Sequence, residues 1–341
     1  MDSNEFDVII VGAGPAGLSC ARALKGSGLR VMVLEKNPNL GMKICSGEIS
    51  PKVLPGGNID RGMEWKELVV CTEGSRQKIS YSRPFLWTIG RENLEKHLMG
   101  GCDAEIHFSE PVSSVAGSHV KTPQGRYNYK HLVGADGAFS IVRKYLDLPV
   151  EHIQGWAYHF VLDAPCPEFQ LCWMPKTFPK SYGYMMSKGR SRAMAGLAWA
   201  GDFDPKKAAK ARAWALKHFG ISRHSAKSEA MKGNADYRGW KFGKVYLAGE
   251  AAGLLNPLTT EGIYYAVKSG EGVARDILGE PEGSRVMNSL ARSHRWQVLF
   301  FDLATNPELP FCWIINWILK DPRKGIRRKV FDWVLWKLML G

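Results

Sequence analysis

The sequence predicts an α/β chain with α+β elements. A parallel sheet covered by helices is interrupted by an inserted antiparallel sheet and followed by a helical C-terminal segment. Three observations lead there. A short apolar run, residues 6–11, opens directly into the glycine-spaced turn Gly12-Ala-Gly14-Pro-Ala-Gly17. Residues 151–234 alternate apolar and polar positions and are rich in aromatics, the period of half-buried strands. Residues 286–341 hold five of the twelve tryptophans. With 341 residues, 45% apolar and 23% charged, the composition excludes a disordered chain, a collagen-like repeat and a polytopic membrane protein. The parallel-sheet domain is expected to be discontinuous, built from 1–150 and 235–285. Residues 50–85 contribute to the inserted sheet of 151–234.

The first strand needs no alternation because both its faces are to be buried. After its glycine turn, residues 18–28 read as a helix closed by Gly26 and Gly28, and residues 31–34 as a second strand with Glu35 at its end. This strand–turn–helix–strand–acid order is that of a Rossmann-like dinucleotide fold. Gly12 permits the tight turn, Gly14 lets a pyrophosphate approach the backbone, and Gly17 lets the helix pack on the sheet. Pro15 gives up a donor that an early helix position does not need, and the helix N-terminus attracts phosphate. Glu35 can accept both hydroxyls of an adenosine ribose and disfavours a 2′-phosphate, so FAD or NAD is expected rather than NADP. Ala16 and Lys36 complete the candidate nucleotide contacts here.

Two further glycine sites follow predicted strands and open helices: Asp136-Gly137 and Gly249-Glu250. With Arg91 in GRENLEKHL, they give the chain a resemblance, over residues 6–278 with gaps, to FAD-dependent oxidoreductases of the para-hydroxybenzoate hydroxylase type. The resemblance implies FAD as cofactor, Asp136-Gly137 near the pyrophosphates, Glu250 on the ribityl chain where the family has Asp, and Arg91 against the flavin.

Within that group the chain resembles the geranylgeranyl reductase family, archaeal digeranylgeranylglycerophospholipid reductases included. Three stretches carry this. Lys43-Ile-Cys45-Ser46-Gly47-Glu48 resembles a cysteine–glycine segment. Asn256-Pro257-Leu-Thr-Thr-Glu-Gly262-Ile263 resembles NPLTGxGI. Pro179-Lys-Ser-Tyr182-Gly-Tyr184-Met-Met186-Ser187 lies where the family has PxxYxWxFP, with Tyr184 for Trp and Met186 and Ser187 for Phe and Pro. The resemblance implies cofactor contacts at Lys43, Gly262 and Ile263, and catalytic candidates at Cys45, Tyr182 and Tyr184. Substrate-pocket candidates are Gly47, Trp173, Met186 and Pro257, with Phe160, Met185 and Trp199 as further apolar walls. The implied reaction saturates C=C bonds of geranylgeranyl chains on a lipid. An isolated alkene has no carbonyl to absorb charge, so a strong hydride donor, reduced flavin N5, must be matched by a proton source. Cys45 is a candidate for that proton, with Lys43 lowering its pKa, or a packing residue. The external electron donor is NAD(P)H, ferredoxin or F420. The alternatives are an FAD-dependent monooxygenase and a non-catalytic flavin-binding protein at a membrane.

Residues 286–341 carry nine basic and four acidic residues. Aromatic helices beside a basic cluster fit attachment to an anionic membrane surface, with a helical lid as the other reading. The chain's net charge of +13 calls for an anionic partner, and no nucleic-acid-binding signature accompanies it. The seven cysteines include no CxxC pair, so no metal site is expected. The acidic start, MDSNEFD, leads straight into the first strand, and a cytoplasmic protein, peripheral on the membrane, is expected.

Overall fold

The computed structural model describes residues 4–53, 62–151, 154–188, 190–221, 226–306 and 308–339. Eight α-helices run through them: α1 (Pro15–Ala23), α2 (Arg91–Met99), α3 (Ile141–Tyr145), α4 (Pro205–His218), α5 (Ile263–Ile277), α6 (Pro281–Thr305), α7 (Pro310–Lys320) and α8 (Gly325–Val334).

Strand Glu5–Val11 is central in the first sheet. It pairs in parallel with Val31–Leu34 on one side and Gly125–Gly134 on the other. Val245–Leu247 and Glu105–His107 extend the parallel set outward. Val8, Ile9 and Ile10 are wholly buried, which is why this strand is an unbroken apolar run. Val11 is in register with both Leu34 and Gly134. The three strands therefore end level, and their loops open on one crevice at the carboxyl edge, where open α/β sheets bind ligands. α1 returns from that edge. A Cβ on Gly17 would lie 1.9 Å from the Gly12 carbonyl oxygen and 3.1 Å from Ile10 Cγ2, so only glycine lets the helix start this close to the turn and sheet.

The second sheet has seven strands in the order Ala226–Asn234, Gln154–Leu162, Ala193–Ala200, Ser181–Ser187, Gln170–Trp173, Glu67–Cys71, Arg76–Ser80. All pairs are antiparallel except Gln170–Trp173 with Glu67–Cys71. The hairpin 67–80, from the N-terminal half, thus joins strands of 154–234. The period of two sorts its side chains. Leu171, Tyr182, Tyr184, Met186, Met194, Ala157 and Met231 leave one face, by register. Cys172, Met185, Trp199 and Phe160 leave the other. α4 covers that second face with Ala208 and Ala211, against Cys172, Leu197 and Trp199. It begins at Asp204, whose carboxylate accepts the Lys206 N–H at 2.8 Å, with Pro205 behind it.

Three helices close the chain. α7 is apolar all round. Its Cys312, Ile315 and Ile318 are buried, while Trp313, Ile314 and Trp317 are exposed. The tail packs by Ile315, Ile318, Phe331 and Leu335 on Leu68, Val70 and Ile79 of the hairpin, and Tyr81 donates to Asp332 Oδ1 at 2.8 Å. Among the described residues no single helix is long and apolar enough to cross a membrane; α6 and α7 together reach the length and composition but are bent by 87°.

Candidate active site

Two cavities adjoin between the sheets. The larger, about 580 Å³, lies at the carboxyl edge of the parallel sheet. The N-terminus of α1 opens on it at Gly14, with Pro15 in the first turn; α5 opens on it at Gly262. Neither has a side-chain cap or a first-turn acid, so both present positive helix ends. Of the candidate cofactor residues, Gly12, Gly14, Ala16, Glu35, Lys36, Lys43, Arg91, Asp136, Gly137, Gly249, Glu250, Gly262 and Ile263 line this cavity. Gly17 does not; its place is the contact beneath the turn.

Glu35 is buried, and one carboxylate oxygen accepts the Ala13 N–H at 2.8 Å. The other accepts the backbone and side-chain N–H groups of Asn37 at 2.9 and 2.6 Å, fixing the acid at the mouth of the first turn. Asp136 Oδ2 accepts the Ile141 N–H at 2.7 Å, whereas its buried Oδ1 has no partner. Burial pushes this carboxyl above its ordinary pKa. The cap of α3 is Ser140, not Asp136. Glu250 holds Lys43 through Oε1 and leaves the buried Oε2 without a partner. Two orphaned carboxylate oxygens and two uncapped helix ends around one cavity fit the hydroxyls and phosphates of a dinucleotide.

Arg91 is nearly buried and pairs with Glu95 at 2.5 Å. Burial opposes its charge, but Glu95, with Cys45 beside it, outweighs that and raises the guanidinium pKa. Glu95 also accepts the Gly41 N–H at 2.7 Å, tying the 41–47 loop to α2. Here one expectation is corrected. Lys43 is spent on Glu250, and the cation engaging Cys45 is Arg91.

The second cavity is an apolar slot of about 130 Å³ under the first face of the antiparallel sheet. It shares Cys45, Met231, Thr260, Gly262 and Ile263 with the first. Tyr182, Tyr184 and Met186 line it, as do Leu171, Met194, Ala157 and Phe169, with Leu335 from the tail. Phe160, Met185 and Trp199 do not, because alternation sends them to the far face. Trp173 shares the slot's face by register but is not among the residues that line it. Pro257 is buried away from it. Gly47 is also outside: a Cβ there would meet the Gly90 backbone at 2.6 Å, so it serves loop packing.

Tyr182 donates to the Thr259 carbonyl at 2.6 Å and lies 2.8 Å from Thr260 Oγ1. Thr260 sits at φ 53°, the position where NPLTGxGI has glycine. Tyr184 meets buried His159 Nδ1 at 2.9 Å, and the far ring nitrogen lies 3.3 Å from Glu229, which pairs with Lys188. Burial holds His159 at a pKa of about 4. Two acids line the slot that the sequence reading did not single out, Glu48 and Glu261. Each has one buried oxygen without a partner, and burial pushes each carboxyl up to about 8. Acids flanking a cysteine–glycine segment and a glycine turn carry no pattern of their own; only the fold aims them at one slot.

Residues 10–68 match the NAD(P)-binding Rossmann-like domain. The chain is 27% identical over 322 residues to a digeranylgeranylglycerophospholipid reductase 2 of Methanopyrus kandleri, covering 81% of this chain and 77% of that one. It is 25% identical over 294 residues to a geranylgeranyl diphosphate reductase of Rhodobacter capsulatus, covering 78% and 73%. In structure it is similar to a geranylgeranyl bacteriochlorophyll reductase-like protein of Thermoplasma acidophilum, with a TM-score of 0.78, 15% identity and coverage of 98% and 96%. A probable FAD-dependent monooxygenase of Pseudomonas aeruginosa shares the fold with a TM-score of 0.67, 18% identity and coverage of 92% and 100%. Fold, cradle and relatives together define an oxidoreductase of the FAD-dependent kind. Within that class the chain is similar in sequence to geranylgeranyl reductases.

Proposed function

We propose that this protein is an FAD-dependent reductase that saturates C=C bonds in geranylgeranyl chains carried on a lipid. The observation that carries the reading is the junction of the two cavities: a dinucleotide cradle and an apolar slot share Cys45, Thr260, Gly262, Ile263 and Met231. When bound and reduced, FAD supplies the hydride through its N5 atom.

The chain's own residues do the rest. Glu35, Asp136, Glu250 and the ends of α1 and α5 hold the dinucleotide. Glu95, paired with Arg91, holds the loop that carries Cys45 through the Gly41 N–H. Leu171, Met186, Met194 and Leu335 exclude water and take a hydrocarbon chain. The proton for the adjoining carbon comes from the protic groups of the slot: Cys45, and Glu48 and Glu261, whose carboxyls stay protonated at neutral pH because they are buried. Tyr182 and Tyr184 position the wall and the 256–263 turn. A nicotinamide nucleotide, ferredoxin or F420 would be the external source of electrons for the bound cofactor. We place the protein on the cytoplasmic face of an anionic membrane, where its substrate resides.

The test is anaerobic. Flavin-loaded protein is bleached, then given a geranylgeranyl lipid. Reoxidation with a mass gain of two hydrogens per bond is expected. If the lipid leaves the flavin bleached, air is admitted: oxygen uptake coupled to a hydroxylated product would replace this reading with the monooxygenase, and no change in the lipid under either condition would leave a binding protein without turnover.

A further inference from the structure

Among the described residues, one cluster of sulfur and imidazole donors lies outside the active site. Cys71 ends strand Glu67–Cys71, and Cys172 is its register partner in the parallel strand Gln170–Trp173. Direct partners across two strands project to the same face, here the face turned away from the apolar slot. α4 packs over that face, and its last turn brings His218 to the two thiols. Both sulfurs and a His218 ring nitrogen lie within 4.8 Å of one another. His218 Nε2 is 3.4 Å from Cys172 Sγ.

The imidazole is aimed by packing. It stacks on Trp214 at 4.7 Å and 18°, and meets Phe219 edge-on at 4.8 Å. The two cysteines are buried and free, while His218 is exposed, so the cluster has a dry floor and an open mouth. A disulfide would use the two sulfurs, require an oxidant and leave the imidazole without a purpose. Two thiols with an imidazole of fixed direction are instead the donor set of a soft to borderline divalent ion, and exclude the oxygen-seeking magnesium and calcium.

We propose that Cys71, Cys172 and His218 bind one thiophilic divalent ion of the zinc kind, with solvent in the fourth position. Binding forms two metal–sulfur bonds and one metal–nitrogen bond and releases the two thiol protons to solvent; nothing is oxidised or reduced. The ion ties the 67–80 hairpin, the strand Gln170–Trp173 and α4 together. The site is independent of the flavin chemistry.

The experiment uses full-length, flavin-loaded protein, reduced and freed of metal by chelation, titrated with zinc ion in a calorimeter. One saturable site per chain is expected. X-ray absorption of the zinc should show two sulfur ligands at about 2.3 Å and a nitrogen at about 2.0–2.1 Å. Cys172→Ser should abolish binding, and His218→Gln, at an exposed position that leaves the core intact, should weaken it at least tenfold. Cys45→Ala, a thiol outside the cluster, should leave zinc binding as it is. Absence of a saturable site, binding unaltered in His218→Gln, or a Cys71–Cys172 disulfide in protein isolated without oxygen would each overturn the proposal.

Discussion

Glu48 and Glu261 put two carboxyls into an otherwise apolar slot, and their titration has a definite sign. An unfolded glutamate ionises near about 4.3, whereas burial moves both folded carboxyls to about 8. Between those values the folded chain keeps protons that the unfolded chain has lost, so stability falls as pH rises and levels off above about 8. The melting temperature should decline from about pH 5 to about pH 8, and Glu48→Gln with Glu261→Gln should flatten that decline. A decline that persists in the double variant would assign it to other groups. On the proposed reaction, single-turnover alkene reduction should fade as pH rises through about 8, and replacing the acid in use should slow it roughly a hundredfold, the low end for a general acid. Cys45→Ala, with its flavin retained, tests the thiol in the same assay: an unchanged rate leaves it a packing role. Thr260 carries backbone strain. A β-branched residue at φ 53° is strained by about 1–3 kcal/mol, and Tyr182 holds it there. Thr260→Gly should therefore raise stability by about 1 kcal/mol, read by denaturant titration; a loss would mean that the threonine's contacts outweigh its strain.

Among the elements, the first strand, its turn and α1 were legible because local rules and tertiary role agree there. The apolar run, the glycine spacing and the closing acid all answer to one crevice. Gly17 carries this furthest. Gly17→Ala puts a methyl 1.9 Å from the Gly12 carbonyl, backbone that cannot yield without lifting α1 from the sheet. Overpacking of this kind costs about 1–3 kcal/mol or more, and flavin affinity should fall with stability, measured by thermal melting and flavin titration. A variant that binds flavin as before would show that α1 can shift without cost. The antiparallel strands were legible as strands but not as walls. Alternation alone does not say which face meets the cofactor, so Tyr184 and Met186 fell on the slot while Met185 between them fell opposite. Long-range pairing was hidden altogether. Cys71 and Cys172 are far apart in sequence, and only the parallel pairing of their strands makes them neighbours.

At the scale of the whole molecule, the tail resolves into two faces. The inner one, through Leu335, closes the slot, and through Phe331, Ile315 and Ile318 seals the hairpin. On the outer side Trp296, Trp313 and Trp333 are exposed at 62%, 64% and 55%, and Ile314, Trp317 and Ile326 are exposed as well. Arg327 lies over Trp317 at 4.1 Å. Exposed indoles in a segment that also carries Arg323, Lys324, Arg327 and Lys329 suit the head-group layer of an anionic bilayer, where aromatic rings and basic charges both gain. Cutting away 309–341 would confuse the two faces, since it would also unroof the slot. The sharper test leaves the inner face alone. Trp313→Gln with Trp317→Gln should release the protein from vesicles containing phosphatidylserine, while neutral vesicles bind neither form. Melting temperature and flavin content should stay unchanged, because exposed positions carry little of the fold. If the double variant sediments with the anionic vesicles as the parent does, the outer face of α7 is not the membrane contact, and substrate must reach the slot by another side.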